Sequence, residues 1–201
     1  MKFEKEQISL EEGLKREWII TNGIGGYSSS TIIGANTRKY HGLLVAPLMP
    51  PGNRQLILAK VDEGIEIEGK NYNLYTNVCE NNISDGYKNL ISFEKEYIPI
   101  FTYMVENVII KKFVCMEHGK NLVSLCYYVK NGDKKARLTL APIVNFRGFH
   151  TVNNKENIEV QQNIANNKVS LIFDGNQQNP IYFYSSEGKY IKHDNDMFKN
   201  M

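Results

Sequence analysis

The 201-residue chain lacks a charge excess of either sign: 24 Lys and Arg stand against 22 Asp and Glu, a formal net charge of +2. That balance gives no long-range field to draw in nucleic acid or an anionic membrane. The basic steps Lys111-Lys112 and Lys134-Lys135 also lack the aromatic frame of an RNA-binding strand. Long apolar runs are missing too. The opening MKFEKEQISLEEG has no signal-peptide core and no later stretch reaches membrane-span length, so a cytoplasmic location is the expectation. Cysteine is scarce, and Cys79, Cys115 and Cys126 form an odd set without CxxC spacing. A disulfide framework is thereby excluded, and buried thiols in a reducing compartment are expected. A Cys115–Cys126 disulfide would require their two strands to be neighbours.

Catalytic signatures are equally sparse. Glycoside hydrolysis needs two carboxylates across a cleft, one of them kept protonated by its surroundings. Asp62, Glu63, Glu66, Glu68, Glu94 and Glu96 sit in alternating strand or turn contexts that read as solvated faces, so no acid pair emerges. Cys115 and His118 have C-x-x-H spacing, but no second ligand pair accompanies them, which argues against zinc. No serine sits in a G-x-S-x-G elbow. The sequence implies neither a metal nor a cofactor.

What is present is a succession of β-hairpins. Ile65 and Ile67 alternate with Glu66 and Glu68 before a turn placed at Gly69-Lys70, and LVSLCYYVKNGDKKARLTLAP reads as two strands around Asn131-Gly132. KVSLIFDGNQQNPIYFYSSEGKYI predicts three more, with Val169, Leu171 and Phe173 on one face and turns at Asp174-Gly175 and Glu187-Gly188. Ser9 and Glu12 have capping-box spacing and predict one short helix through Lys15. In VENVIIKKFVCME apolar residues fall on both parities, so that strand is expected to be covered on both sides, by a loop or by a further domain. Segments 80–89 and 152–159 read as loops. Many strands joined by turns must bury their faces in two packed sheets or a barrel. The expectation is a mainly β chain: a large antiparallel β-sandwich, supersandwich-like, forming one domain over 1–201.

Two polar segments stand out. NGIGGY places Gly23, Gly25 and Gly26 around a tight turn after Asn22 and before Tyr27. A β-branched run follows in place of a helix, and no Lys completes a Walker pattern, so a phosphate loop is not the reading. Glycines there suit positive φ, and they also leave backbone N–H groups open to close approach. Fifteen residues on, Arg38, Tyr40 and His41 stand at the leading end of the apolar strand LLVA, and NFRGFHTV repeats the theme with Arg147 and His150 around Phe149. Hydrogen-bonding groups beside an aromatic face are suited to sugars, and the likeness of the two clusters suggests one shared surface. The plainer alternative is an edge cluster whose polar groups satisfy one another.

These residues carry a resemblance. EWIITNGIGGYSSSTIIGANTRKYHGLLVAPLMPPGNRQLILAKVDE is similar to the amino-terminal domain of the bacterial and archaeal type of glycogen debranching enzyme, the amylo-α-1,6-glucosidase family. Glu17, Trp18, Thr21, Asn22, Gly23, Gly25, Gly26, Tyr27, Thr37, Arg38, Tyr40, His41, Gly42, Pro50, Pro51, Arg54, Lys60 and Glu63 match its motif positions. Weaker similarity runs on to PIVNFRGFHTV, where Gly148 stands in place of the family's usual aspartate. The resemblance implies a non-catalytic β-sandwich preceding a helical barrel that carries the acid and base carboxylates, so the isolated chain should be inactive. DMFKNM then reads as the start of the connection to that barrel.

Its implied partners are the barrel in cis and α-glucan, whether glycogen, limit dextrin or maltooligosaccharide, with no nucleic acid and no membrane. Asn22, Gly23, Gly25, Gly26, Tyr27, Arg38, Tyr40, His41, Arg147 and His150 become the candidate substrate-binding or interdomain residues. A free-standing glucan-binding module and a protein-interaction sandwich remain the alternatives.

Overall fold

The computed structural model describes residues 1–79, 82–152 and 159–192. The chain divides into two compact units, Met1–Val152 and Asn153–Met201. The larger begins with β1 (Lys2–Glu4) and a helix, α1 (Leu10–Lys15), whose Ser9 cap accepts a hydrogen bond from the Glu12 N–H at 3.2 Å. There follow β2 (Glu17–Thr21), β3 (Tyr27–Thr31), β4 (Gly42–Met49), β5 (Gly52–Ile67), β6 (Lys70–Asn73), β7 (Val78–Cys79) and β8 (Asn82–Ile83). β9 (Leu90–Lys95), β10 (Pro99–Val105), β11 (Val108–Met116), β12 (Val123–Lys130) and β13 (Ala136–Gly148) complete this unit.

All strand pairs are antiparallel. One sheet runs β1-β9-β10-β11-β12, and a second runs β13-β5-β4-β3-β2 with β6 also paired to β5. The two sheets face each other. Trp18 of β2 meets Phe101 of β10 edge-on at 6.2 Å, Phe93 lies 4.9 Å from Phe101, and Ile110 and Val114 are fully buried, while Val45 packs with Tyr27 and Leu56 in the second sheet. Truncating a fully buried Phe such as Phe101 typically costs about 3–5 kcal/mol. Between Trp18, Lys60, Glu63, Phe101, Tyr103 and Lys112 the sheets enclose a cavity of about 20 Å³, room for a single water molecule. That interior is therefore no ligand site.

The smaller unit holds the three-stranded sheet β14 (Val160–Ala165), β15 (Lys168–Phe173) and β16 (Ile181–Tyr184). Val169, Leu171 and Phe173 are buried on one face of β15, as their alternation predicts. No helix among the described residues is long and apolar enough to cross a membrane.

Several details differ from the sequence reading. The β5–β6 turn centres on Glu68-Gly69, one residue earlier than expected, because both take positive φ (48° and 81°) and so match the right-handed strand twist. KVSLIFDGNQQNPIYFYSSEGKYI yields two strands, not three, and nothing after Glu187-Gly188 pairs among the described residues. β14 lies in an Asn- and Gln-rich stretch where alternation is too weak to signal a strand. In β11, Val108, Ile110, Lys112 and Val114 point inward and the other face is half-exposed, so among the described residues no loop covers it and a further domain is the expected cover that is left. The thiols are not buried: Cys79 and Cys126 are exposed and Cys115 is half-buried. Of the expected loops, 80–81 and 153–158 lie outside the described residues, as does DMFKNM.

Candidate functional site

The glycine turn joins β2 to β3 and is organised by Asn22, which is fully buried. The Asn22 side-chain NH2 donates to the Lys120 carbonyl at 2.9 Å and to Asn121 Oδ1 at 3.2 Å, while Asn22 Oδ1 accepts from the N–H groups of Ile24 (3.2 Å) and Gly26 (2.8 Å). Its own N–H donates to the Gly26 carbonyl, and its carbonyl accepts from Gly119 N–H at 2.7 Å. Gly23 and Gly25 take φ of +79° and +99°. A Cβ on Gly25 would lie 2.7 Å from the Pro51 carbonyl oxygen, and one on Gly23 would lie 2.3 Å from the His118 ring. The Cβ sides of Gly23 and Gly25 are therefore covered by the β11–β12 loop and Pro51, while Gly23 remains exposed and Gly25 half-buried on the other side. Asn22 itself takes up the Ile24 and Gly26 N–H groups.

The second segment divides between interior and surface. His41 is 4% exposed. Its Nδ1 accepts from Thr37 N–H at 3.0 Å, which leaves the ring proton on Nε2, 3.4 Å from Glu17 Oε1 but not aligned as a hydrogen bond. Burial holds this imidazole below its ordinary value of 6.5, with Glu17 opposing. Arg38 pairs with the same Glu17 oxygen through Nε at 2.6 Å. The buried Tyr27 hydroxyl donates to the Tyr40 carbonyl at 2.8 Å, tying the glycine turn's far end to this segment.

The end of β13 joins them there. Arg147 Nη2 donates to the Lys39 carbonyl at 2.8 Å, and its Nη1 donates to the Thr151 carbonyl. Lys39 Nζ reaches back to the His150 carbonyl at 2.8 Å. The Tyr40 ring, 38% exposed, lies 5.7 Å from Phe149 and stands edge-on to His150, with its hydroxyl 3.4 Å from His150 Nδ1. Arg54 stacks over the other aromatic, 4.4 Å from the Phe149 centroid. Two segments about 110 residues apart thus form one cationic-aromatic rim. Gly148, where the resembled family carries aspartate, has only Thr151 Oγ1 near its absent Cβ, at 3.6 Å, so a longer side chain has room.

Tyr40, Arg147 and His150 stand at this rim, and Arg38 is exposed beside it on Glu17. Tyr27 and His41 are buried behind it, whereas Asn22, Gly23, Gly25 and Gly26 form the glycine turn, with Asn22 and Gly26 buried, Gly25 half-buried and Gly23 exposed. The sequence reading did not single out Lys39, which sits within the same motif. Nor did it find the 118–121 loop, since nothing in HGKN announces a partner a hundred residues away. Asp62 and Glu63, read as solvated, are both buried. Glu63 is paired with Lys112 and accepts from the Tyr127 hydroxyl at 2.8 Å. Asp62 pairs with Lys60 at 2.9 Å and accepts from Asn77 Nδ2 at 2.9 Å. Ion-paired and enclosed, these carboxylates face no cleft. No group of three or more metal-ligating side chains occurs among the described residues.

The arrangement offers binding groups rather than a catalytic pair. Comparison with curated proteins and with solved structures gave no match. A family model described as glycogen debranching enzyme N terminal matches residues 16–201, and the chain belongs to that family.

Proposed function

We propose that this chain is the non-catalytic N-terminal domain of a cytoplasmic debranching glycoside hydrolase, seated on a catalytic helical barrel in cis and lending its rim to the cleft that holds branched α-glucan. The observation that carries the reading is the convergence of Tyr40, Phe149 and His150 with Lys39, Arg54 and Arg147 at one exposed edge of the second sheet. An aromatic face supports stacking on an apolar sugar ring, and the neighbouring Tyr hydroxyl, imidazole and ammonium supply hydrogen bonds to sugar hydroxyls. Family membership supports the enzyme class. The enclosed, ion-paired state of Asp62 and Glu63 favours catalysis by groups outside this chain.

The test uses the enzyme in which this domain is joined to its catalytic domain. Tyr40→Ala should raise KM for a branched limit dextrin about tenfold, the loss of roughly 1.4 kcal/mol of stacking and hydrogen bonding, with kcat little changed. An unchanged KM would overturn glucan contact at the rim. Glucose released by the isolated chain would overturn its non-catalytic role. Titration of the isolated chain with maltooligosaccharide separates a self-sufficient glucan module, which binds, from a rim that works only when joined to the barrel.

A further inference from the structure

Cys115 and Cys126 lie on the half-exposed outer face of the first sheet. The β11–β12 register pairs Cys115 with Ser124 and Phe113 with Cys126, so the two cysteines are diagonal neighbours on the same face. Burial, with the neighbouring Cys126 sulfur, raises the Cys115 thiol above its ordinary value. Cys126 is exposed, and β12 is the last strand of its sheet. Diagonal Cα atoms sit about 7–8 Å apart in a regular pair, just beyond the usual disulfide range of about 4.4–6.8 Å. Bridging them therefore requires β12 to shift toward β11, a movement open to a strand hydrogen-bonded on one side only.

We propose that Cys115 and Cys126 form a redox modification site that takes low-molecular-weight disulfides and closes a β11–β12 cross-link. This stands apart from the glucan reading. The Cys126 thiolate attacks one sulfur of the small disulfide, breaking its S–S bond and releasing one small thiolate. The Cys115 thiolate then attacks the Cys126 sulfur of the mixed disulfide, forms the intramolecular S–S bond and expels the second small thiolate. Two protein thiols are oxidised, one small disulfide is reduced to two thiols, and the protons from the cysteines end on the released thiolates. The exposed thiol is the acceptor and the half-buried one resolves. The cross-link falls at the loop end of the hairpin, beside the loop that holds Asn22 through Gly119, Lys120 and Asn121, so oxidation would stiffen the loop that closes the glycine turn.

The test incubates the full chain carrying Cys79→Ser with glutathione disulfide, quenches by alkylation over time, and reads intact mass and peptide maps. The expected product is lighter by two hydrogens, free of glutathione and joined between Cys115 and Cys126. In the Cys79→Ser/Cys115→Ser chain the glutathione adduct on Cys126 should accumulate instead. The unsubstituted chain, mapped in the same way, should show the same cross-link, so the result does not depend on any variant folding. A stable adduct on one cysteine with the other still alkylatable, disulfide-linked dimers, or two thiols that react only after denaturation would each overturn the proposal.

Discussion

Asn22 links chain segments that no local rule would join, since its amide fixes the glycine turn on one side and the 118–121 loop on the other. Asn22→Ala deletes the acceptor for the buried Gly26 N–H and the half-buried Ile24 N–H, and the donor for the Lys120 carbonyl. With desolvated groups left unpaired, the expected loss is about 3 kcal/mol, read as a lower urea midpoint at unchanged slope. His41 gives a pH signature. Its folded pKa is lowered by burial from 6.5, so below that value the unfolded chain binds a proton that the folded chain resists. Stability therefore holds above about pH 6.5 and falls as pH drops through the window between the unfolded and folded values. Melting temperatures taken between about pH 7.5 and 5.5 should decline more steeply for the natural chain than for His41→Asn, whose side-chain oxygen can still accept from Thr37 N–H. Equal slopes would show that His41 does not titrate across folding.

At the level of strands, legibility followed the range of the signal. The Ser9 cap and the alternation of Val169, Leu171 and Phe173 act within a few residues, and each could be read from the sequence. The meeting of Arg38–His41 with Arg147–His150 was suggested only by the likeness of two clusters, because the pairing of β13 with β5 that brings them together is not written locally. The charges of β5 were misread for a related reason. Glu66 and Glu68 follow a clean alternation, but β5 is an inner strand between β4 and β13, and over 60–63 both of its faces are covered. The partner of Glu63, Lys112, lies 49 residues away on the facing sheet. Removing one member of such a pair strands the other charge. Lys112→Met should cost about 3–5 kcal/mol, whereas Lys112→Met with Glu63→Gln should recover most of it. Denaturant titration of both variants decides this, and equal destabilisation would mean that the ion pair does not bridge the sheets.

For the molecule as a whole, the division at Val152/Asn153 separates a unit that contains two facing sheets, the buried ion pairs and the entire cationic-aromatic rim from a three-stranded remainder. At about 150 residues a domain buries roughly 68–70% of the surface its unfolded chain exposes, enough to fold unaided. The larger unit also has both ends tied: β1 pairs with β9, and β13 runs along β5 to Gly148. Residues 1–152 expressed alone should therefore unfold in one cooperative urea transition. The chain's one tryptophan, Trp18, reports it directly, because it is 3% exposed and packs against Phe101 across the two sheets. Its emission should be blue-shifted in buffer and move red only through the transition. A gradual drift, or solvent-exposed emission before denaturant is added, would mean that the sandwich depends on residues 153–201 and that 1–201 is one folding domain. A sharp transition would make the rim separable from the smaller unit.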